Sequence, residues 1–238
     1  MSARLLALDS STEELSVAVA AGERQWVRVV AGGALASSRI IVLALEGLAA
    51  CGLQVSQLDA VAFGAGPGAF TGLRCACAVA QGLAFACGKP VLAVDSLMIV
   101  AESARAGWPD GAGELWVAMD ARMDELYAAC YRFEDGRWRV LSAPALYTLD
   151  ALAAHWSVAP PRAVAGNAVR IFGARLPLGA ATVLPDTKDR GHALLALAQQ
   201  AWGHGEGMPA EQAAPVYLRD KVALTSAERE AARTGVRA

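Results

Sequence analysis

The sequence predicts an α/β chain of two lobes, each opening on antiparallel strands and closing on alternating strands and helices. Three observations predict it. Short apolar and β-branched runs open both halves of the chain, and longer apolar runs of helical length follow them. Residues 107–113, rich in glycine and carrying a proline, separate the halves as a linker. The composition is that of a folded chain: of 238 residues, 55% are hydrophobic and 18% charged, with a mean hydropathy of +0.35. That is enough apolar surface to offset the entropy of ordering.

The first lobe, residues 1–106, is read element by element. Residues 4–8 are an apolar run ending at Asp9, and Ser10, Ser11 and Thr12 are turn formers. Residues 15–20 and 25–30 read as two further strands, so the chain opens on a three-stranded meander. A helix is expected over 40–50, with Ser37 and Ser38 as N-caps and Gly52 just past its end. A short strand at 61–63 leads through a glycine-rich string into a helix over 73–85 that is apolar on every face. A strand at 91–94 and a helix at 96–105 finish the lobe in the order βββαβαβα. Such an order gives one mixed sheet, begun by a meander and continued by crossovers.

The second lobe, residues 114–220, repeats the plan without an alignable sequence repeat. Residues 115–119 and 126–133 read as paired strands, with a third at 137–141 after the turn Glu134-Asp-Gly136. A helix at 149–155, the Pro160-Pro161 turn, a strand at 163–165, a strand at 182–184 and a helix at 192–202 complete it. Residues 221–238 read as a charged, flexible tail.

Charge and cysteine content narrow the function. Lys and Arg number 21 against 23 Asp and Glu, a net charge of −2, and the pI is about 5.9. Only Lys89, Lys188 and Lys221 are lysines, and no basic run occurs. Autonomous nucleic-acid binding, which must neutralise phosphates, is disfavoured. So is membrane attachment through a polybasic segment. The longest uncharged run, residues 191–205, contains His, Gln and Gly and falls short of the ~20 apolar residues of a bilayer span. The five cysteines are odd in number, lack a Cys-x-x-Cys pair and sit mostly in alanine-rich stretches. Together with a start that lacks a signal-peptide core, they predict a reduced, cytoplasmic protein.

Three strings carry possible chemistry. In Gly66-Pro-Gly-Ala-Phe-Thr-Gly-Leu-Arg74, residues Gly66, Gly68 and Gly72 permit close approach, and Thr71 can cap the next helix. The string lacks the ending of a phosphate-binding P-loop and the spacing of a dinucleotide fingerprint. Either an anion sits at the helix start, contacted there or by Arg74, or the string is a structural strand-to-helix turn. Asp9, Ser11 and Thr12 suit either a phosphate or metal-bound water, or a plain hairpin turn. Asp120 and Arg122 lie at a strand end, where α/β proteins place functional groups, yet an Asp–Arg pair can equally fasten a turn. His155, His192 and His204 have no metal-ligand spacing, so no metal site is expected. Cys75 and Cys77, two apart on a helix, read as packing.

Taken in order, the strings resemble one family. They are Leu6-Ala-Leu-Asp-Ser-Ser-Thr12 with Ser16-Val-Ala-Val19, the Gly66–Arg74 string, Gly82-Leu-Ala84 and Val94-Asp-Ser-Leu97. Asp120-Ala-Arg122 with Glu125-Leu-Tyr127, Gly166-Asn-Ala168 and Pro215-Val-Tyr-Leu-Arg219 follow. They span nearly the whole chain and resemble the TsaB (YeaZ) family of tRNA threonylcarbamoyladenosine biosynthesis. The resemblance implies a two-lobed actin-like fold (ASKHA, ribonuclease H-like) in degenerate form. It implies a non-catalytic partner that binds and activates the TsaD transferase and helps recruit the TsaE ATPase. TsaD transfers the threonylcarbamoyl group from its adenylate to adenosine 37 of tRNA.

The residues themselves agree with a partner role. Where TsaD carries paired metal-binding histidines, this chain reads Ser37-Ser-Arg-Ile-Ile41. The nucleotide loops lack expected glycines at Asp9-Ser-Ser-Thr12 and Gly166-Asn-Ala168. No tightly bound cofactor is therefore expected, and ATP and metal belong to the partner proteins. The helices over 40–50 and 73–85 carry more apolar residues than one buried face needs, which marks an interface. Ile40, Leu43, Ala44, Leu73, Ala76, Cys77, Ala80 and Leu83 are the expected TsaD-facing residues, the alternative being that Ala76 and Ala80 face this chain's own core. The same region would form a homodimer when the chain is alone, and tRNA would be met only through the complex. The alternative is a nucleotide-binding enzyme of the same fold, a kinase or ATPase acting alone.

Overall fold

Alternation along the first strand decides the layering. In β1 (Arg4–Asp9), Leu5 and Ala7 enter one core while Leu6 and Leu8 enter another. A strand buried on both faces needs cover on both. The computed structural model describes residues 3–108, 113–184 and 190–219, and it places β1 at the centre of a five-stranded sheet. β2 (Glu14–Ala21) and β3 (Arg24–Ala31) follow as the expected antiparallel meander. β4 (Ala60–Gly66) and β5 (Val91–Asp95) continue in parallel on the other side, giving the order β3-β2-β1-β4-β5.

The second sheet repeats this arrangement strand for strand. β6 (Gly113–Arg122), β7 (Glu125–Glu134) and β8 (Arg137–Thr148) form the meander. β9 (Ala163–Ala165) and β10 (Thr182–Val183) add in parallel, giving β8-β7-β6-β9-β10. Of the expected linker 107–113, residues 109–112 lie outside the described residues, as does the expected tail.

Among the described residues, six α-helices fill the spaces between and around the sheets. α1 (Ala36–Ala50) and α2 (Phe70–Ala86) cover the outer face of the first sheet through Ile40, Ala44, Leu48, Ala76 and Ala80. α4 (Leu149–Val158) and the single turn and a half of α5 (Ala168–Phe172) cover the outer face of the second through Leu152, Trp156 and Ala168. Between the sheets lie α3 (Ser96–Arg105) and α6 (Arg190–Gly203), in a core that draws on Ala7 and Ala18 from one sheet and Val117 and Ala129 from the other. α3 packs on β6, β7 and β9 as well as on its own sheet, whereas α6 packs on β1, β2 and β3.

Three expectations change. α1 begins before Ser37 and Ser38, directly after a 3-10 turn at Gly33–Leu35, so neither serine caps it. Ser38 instead donates from Oγ to the Leu35 carbonyl at 2.9 Å. α2 begins at Phe70, which puts Thr71 inside its first turn and leaves Ala69 as N-cap with no side-chain acceptor. Its entry is fixed by the neighbouring loop, where the Ala69 amide donates to the Ser11 carbonyl at 2.7 Å. Finally, α6 falls in the expected second lobe by sequence, yet its apolar face is buried against the first sheet. The chain then stays with that sheet: Met208 bridges to Val91, and Ala210 enters the core beneath α2.

Candidate functional site: the junction between the lobes

Parallel strands place their carboxyl ends on one edge, where α/β proteins gather functional groups. Here β1 ends at Asp9, β4 at Gly66 and β5 at Asp95 in one sheet, and β6 ends beyond Asp120 in the other. The sequence strings therefore meet in space. Asp9 is buried and paired with Arg190, the first residue of α6, with Nη2 to Oδ2 at 3.0 Å. The same nitrogen donates to Ser11 Oγ and to the Ser96 carbonyl, each at 3.1 Å. A buried carboxylate requires such a counter-charge. Arg190 was not visible as a site residue, because one arginine before an apolar run reads as a helix boundary.

The glycine string packs against the β1–β2 loop. A Cβ at Gly72 would stand 1.7 Å from the Ser10 carbonyl oxygen, one at Gly68 2.4 Å from that of Ser11, and one at Gly64 2.2 Å from Asp9 Oδ1. Ser10 Oγ also donates to the Gly72 carbonyl at 2.8 Å. The chain's own Ser10 and Ser11 backbone thus uses the space these glycines leave, which is the structural of the two readings. Thr12 Oγ1 accepts the Glu14 amide at 3.3 Å, a local turn bond. Phe70 and Arg74 stack, the guanidinium 4.7 Å from the ring centre.

The Asp120–Arg122 string fastens a turn. Asp120 Oδ1 accepts the Arg122 amide at 2.8 Å, and the side chains approach to 3.4 Å. Asn167 Oδ1 accepts the Asp120 amide at 2.8 Å, tying the start of α5 to the end of β6. Arg122, Met123 and Asp124 all have positive φ (66, 59 and 54°), a strained run for residues with a Cβ. From this turn Arg122 reaches across to Glu13 of the first lobe at 2.9 Å. Glu125 on the same turn pairs with Arg219, which also donates to the Arg122 carbonyl at 3.2 Å. Every carboxylate in this set has a cationic partner.

The expected partner-facing residues lie elsewhere. Ile40, Ala44, Leu73, Ala76, Cys77 and Ala80 are buried in the chain's own core, and Leu43 and Leu83 are half-buried against it. A helix lying on a sheet turns its most regularly spaced apolar residues inward, so the six buried residues are core and not docking surface, while Leu43 and Leu83 lie at its margin. The excess is on the opposite face: Ile41 is 48%, Val42 54% and Leu45 50% exposed, with Leu35 and Phe85 also outward. Val30, Ser38, Arg39, Val42 and Leu43 line a groove between α1 and β3. Gly33–Ala50 is apolar and long enough to cross a bilayer, but Ile40, Ala44 and Leu48 fix it to the sheet as an outer-layer helix.

Protonation follows burial. Asp95 caps α3 by accepting the Leu97 and Met98 amides, and Tyr131 donates to it at 2.6 Å. Burial raises the Asp95 pKa against the lowering effect of those donors. Tyr131 is raised by burial and by the adjacent carboxylate. Burial pushes the Cys130 thiol up to about 12, which leaves it unreactive. All five thiols are free. Among the described residues no group of three His, Cys, Asp or Glu could hold a metal ion.

The paired βββαβαβα units and their shared central helices define a two-lobed protein of the actin-like class. A family model described as "TsaD: tRNA N6-adenosine threonylcarbamoyltransferase" matches residues 35–169. The chain is 31% identical over 229 residues to the tRNA threonylcarbamoyladenosine biosynthesis protein TsaB of Escherichia coli, covering 92% of this chain and 96% of that one. It is 43% identical over 124 residues to the Haemophilus influenzae TsaB, about half of each chain. The solved structure of YeaZ from Pseudomonas aeruginosa superposes with a TM-score of 0.79 at 40% identity, covering 91% of this chain and all of that one. The chain belongs to the TsaB (YeaZ) family of tRNA threonylcarbamoyladenosine biosynthesis proteins.

Proposed function

We propose that the chain is a non-catalytic subunit in the formation of N6-threonylcarbamoyladenosine at position 37 of tRNA. It binds and activates a TsaD transferase and helps recruit the TsaE ATPase. The observation that carries this reading is the apolar outer face of α1, where Ile41, Val42 and Leu45 stand about half exposed, with Phe85 of α2 also exposed. A monomer seldom leaves such a face uncovered. The TsaD-type fold supports the choice of partner, because related chains can pair through equivalent helices. The same face lets two copies of this chain associate when TsaD is absent, as in isologous dimers.

The junction supports the absence of catalysis by this chain. Asp9, Glu13 and Glu125 are paired with arginines of the same chain, and the glycine spaces are taken by its own backbone. ATP and metal are then used by the partner proteins, in the cytoplasm, and tRNA is met through the complex. Reconstitution tests the reading: the chain is mixed with TsaD, TsaE and the adenylate-forming enzyme, and tRNA modification is measured. Modification should require this chain. Equal modification without it overturns the proposal. Heat of binding on titrating the chain alone with Mg-ATP would favour the nucleotide-binding enzyme instead.

A further inference from the structure

We propose that residues 213–219 are a latch across the mouth of the junction, closing the two lobes there while α3 and α6 act as the hinge at its base. The sequence string Pro215-Val-Tyr-Leu-Arg219 forms no helix or strand, yet it is held at both ends. On the first lobe, the Val216 amide donates to the Ala65 carbonyl at 2.7 Å. The Tyr217 ring lies 5.1 Å from Phe70, whose ring also carries Arg74. Gly66 is required beneath it, since a Cβ there would stand 2.7 Å from the Val216 carbonyl oxygen. On the second lobe, Arg219 makes the connection, to Glu125 Oε2 and to the Arg122 carbonyl.

The segment has the character of a latch and not of a core strand. None of residues 211–219 is buried, and Val216 and Tyr217 are nearly half exposed. Val216 and Tyr217 face solvent while the Arg219 side chain is only 14% exposed, and segments with so little buried surface open locally at a fraction of the global unfolding free energy. A second tie across the mouth, Arg122 to Glu13, joins two largely exposed side chains and is weakened by solvent. At the base, by contrast, Ala7, Ala18, Val117, Ala129 and Leu194 share one buried core. Closure at the mouth therefore depends on Arg219, and the glycine string and the Asp120–Glu125 turn are the two surfaces that it joins.

Hydrogen exchange read by mass spectrometry on the full chain tests this. In Arg219→Met, amides of the 119–126 turn, of 66–69 and of 213–219 should exchange at least about tenfold faster, while α3 and α6 keep their protection. Arg219→Lys, which retains the charge beside Glu125, should restore part of the protection. Tyr217→Ala, which removes the anchor on the first lobe, should reproduce the Met pattern. Glu13→Gln should leave the pattern of the unaltered chain. Unchanged exchange in both the Arg219→Met and Tyr217→Ala chains would sink the proposal. So would equal acceleration in α3 and α6, or failure of Arg219→Met to fold, since the segment would then carry global stability.

Discussion

The two lobes share a strand order but not a surface. In the first, the outer helices α1 and α2 have 15 and 17 residues; in the second, α4 and α5 have 10 and 5. The short pair is long enough to cover its sheet through Leu152, Trp156 and Ala168. The long pair covers its sheet and still turns Ile41, Val42, Leu45 and Phe85 to solvent. Duplicated topology thus preserves the core while the outer layer is free to specialise. The loops diverge too. Both lobes seat backbone against glycine, Ser10 and Ser11 in the first and the Ala118 carbonyl against Gly166 in the second, but the second adds the Asn167 side chain and a left-handed run at Arg122–Asp124.

The sharpest way to break the comparison is to place charge on each face of the outer helices. Ala76→Glu puts a carboxylate and extra volume into a fully buried site, and should cost more than about 4 kcal/mol, leaving no folded chain. Val42→Glu, on the exposed face, should change urea stability by no more than about 0.5 kcal/mol yet abolish co-elution with TsaD. Retained co-elution would move the interface to another surface.

Within α2, two glycines should respond in opposite directions. Gly72→Ala drives a Cβ into the Ser10 carbonyl and should destabilise by about 3 kcal/mol. Gly82→Ala, with nothing within 4 Å of its Cβ, should stabilise by roughly 0.5–1 kcal/mol through helix propensity. Equilibrium unfolding in urea measures both.

A third contrast concerns the tie between α3 and the second sheet. Tyr131→Phe removes the donor to Asp95 and should cost about 1–3 kcal/mol. Asp95 is already raised by burial, and without the donor its pKa climbs further. A carboxyl raised in the fold contributes stability below its unfolded pKa and loses it as pH rises through the folded value. The penalty of the substitution should therefore be greatest at neutral pH and shrink on acidification.

The smallest effect is expected at the amino-terminal end of the central strand β1. There the Arg4 hydrogen bond holds Asp59 below the usual carboxylate range, with burial opposing. A lowered carboxyl contributes stability above its unfolded pKa, near ~3.9, and loses it as pH falls through the folded value. In Arg4→Met, an NMR titration of Asp59 should move upward and the acid limb of the stability profile should flatten.

The strands were legible because alternation and β-branching act locally: β1 to β7, β9 and β10 lie within a few residues of their expected places, whereas β8 starts where expected at Arg137 but runs seven residues past 141, to Thr148. α1 and α2 were legible as helices but not as surfaces. Ile40, Ala44, Ala76 and Ala80 differ from Ile41 and Val42 only in which side meets the sheet, and an apolar helix gives no polar face to orient it. Asp9 was visible, but its partner Arg190 lies 181 positions away and is joined only by the fold. Glu13 and Arg122 failed to stand out together for the same reason. Family strings located the junction; what fills it needed coordinates.

The shared central layer also bears on how the chain is made. The inner face of the first sheet, with Ala7, Ala18 and Ala20, is covered largely by α6, which leaves the ribosome only after synthesis has passed Arg190. Until then Asp9 has no guanidinium beside it and a bare apolar sheet waits for most of the chain. Domains ordinarily fold as units from the N-terminus during synthesis. This one completes the inner cover of its first sheet only once α6 has been made, so a product truncated before Arg190 lacks that cover.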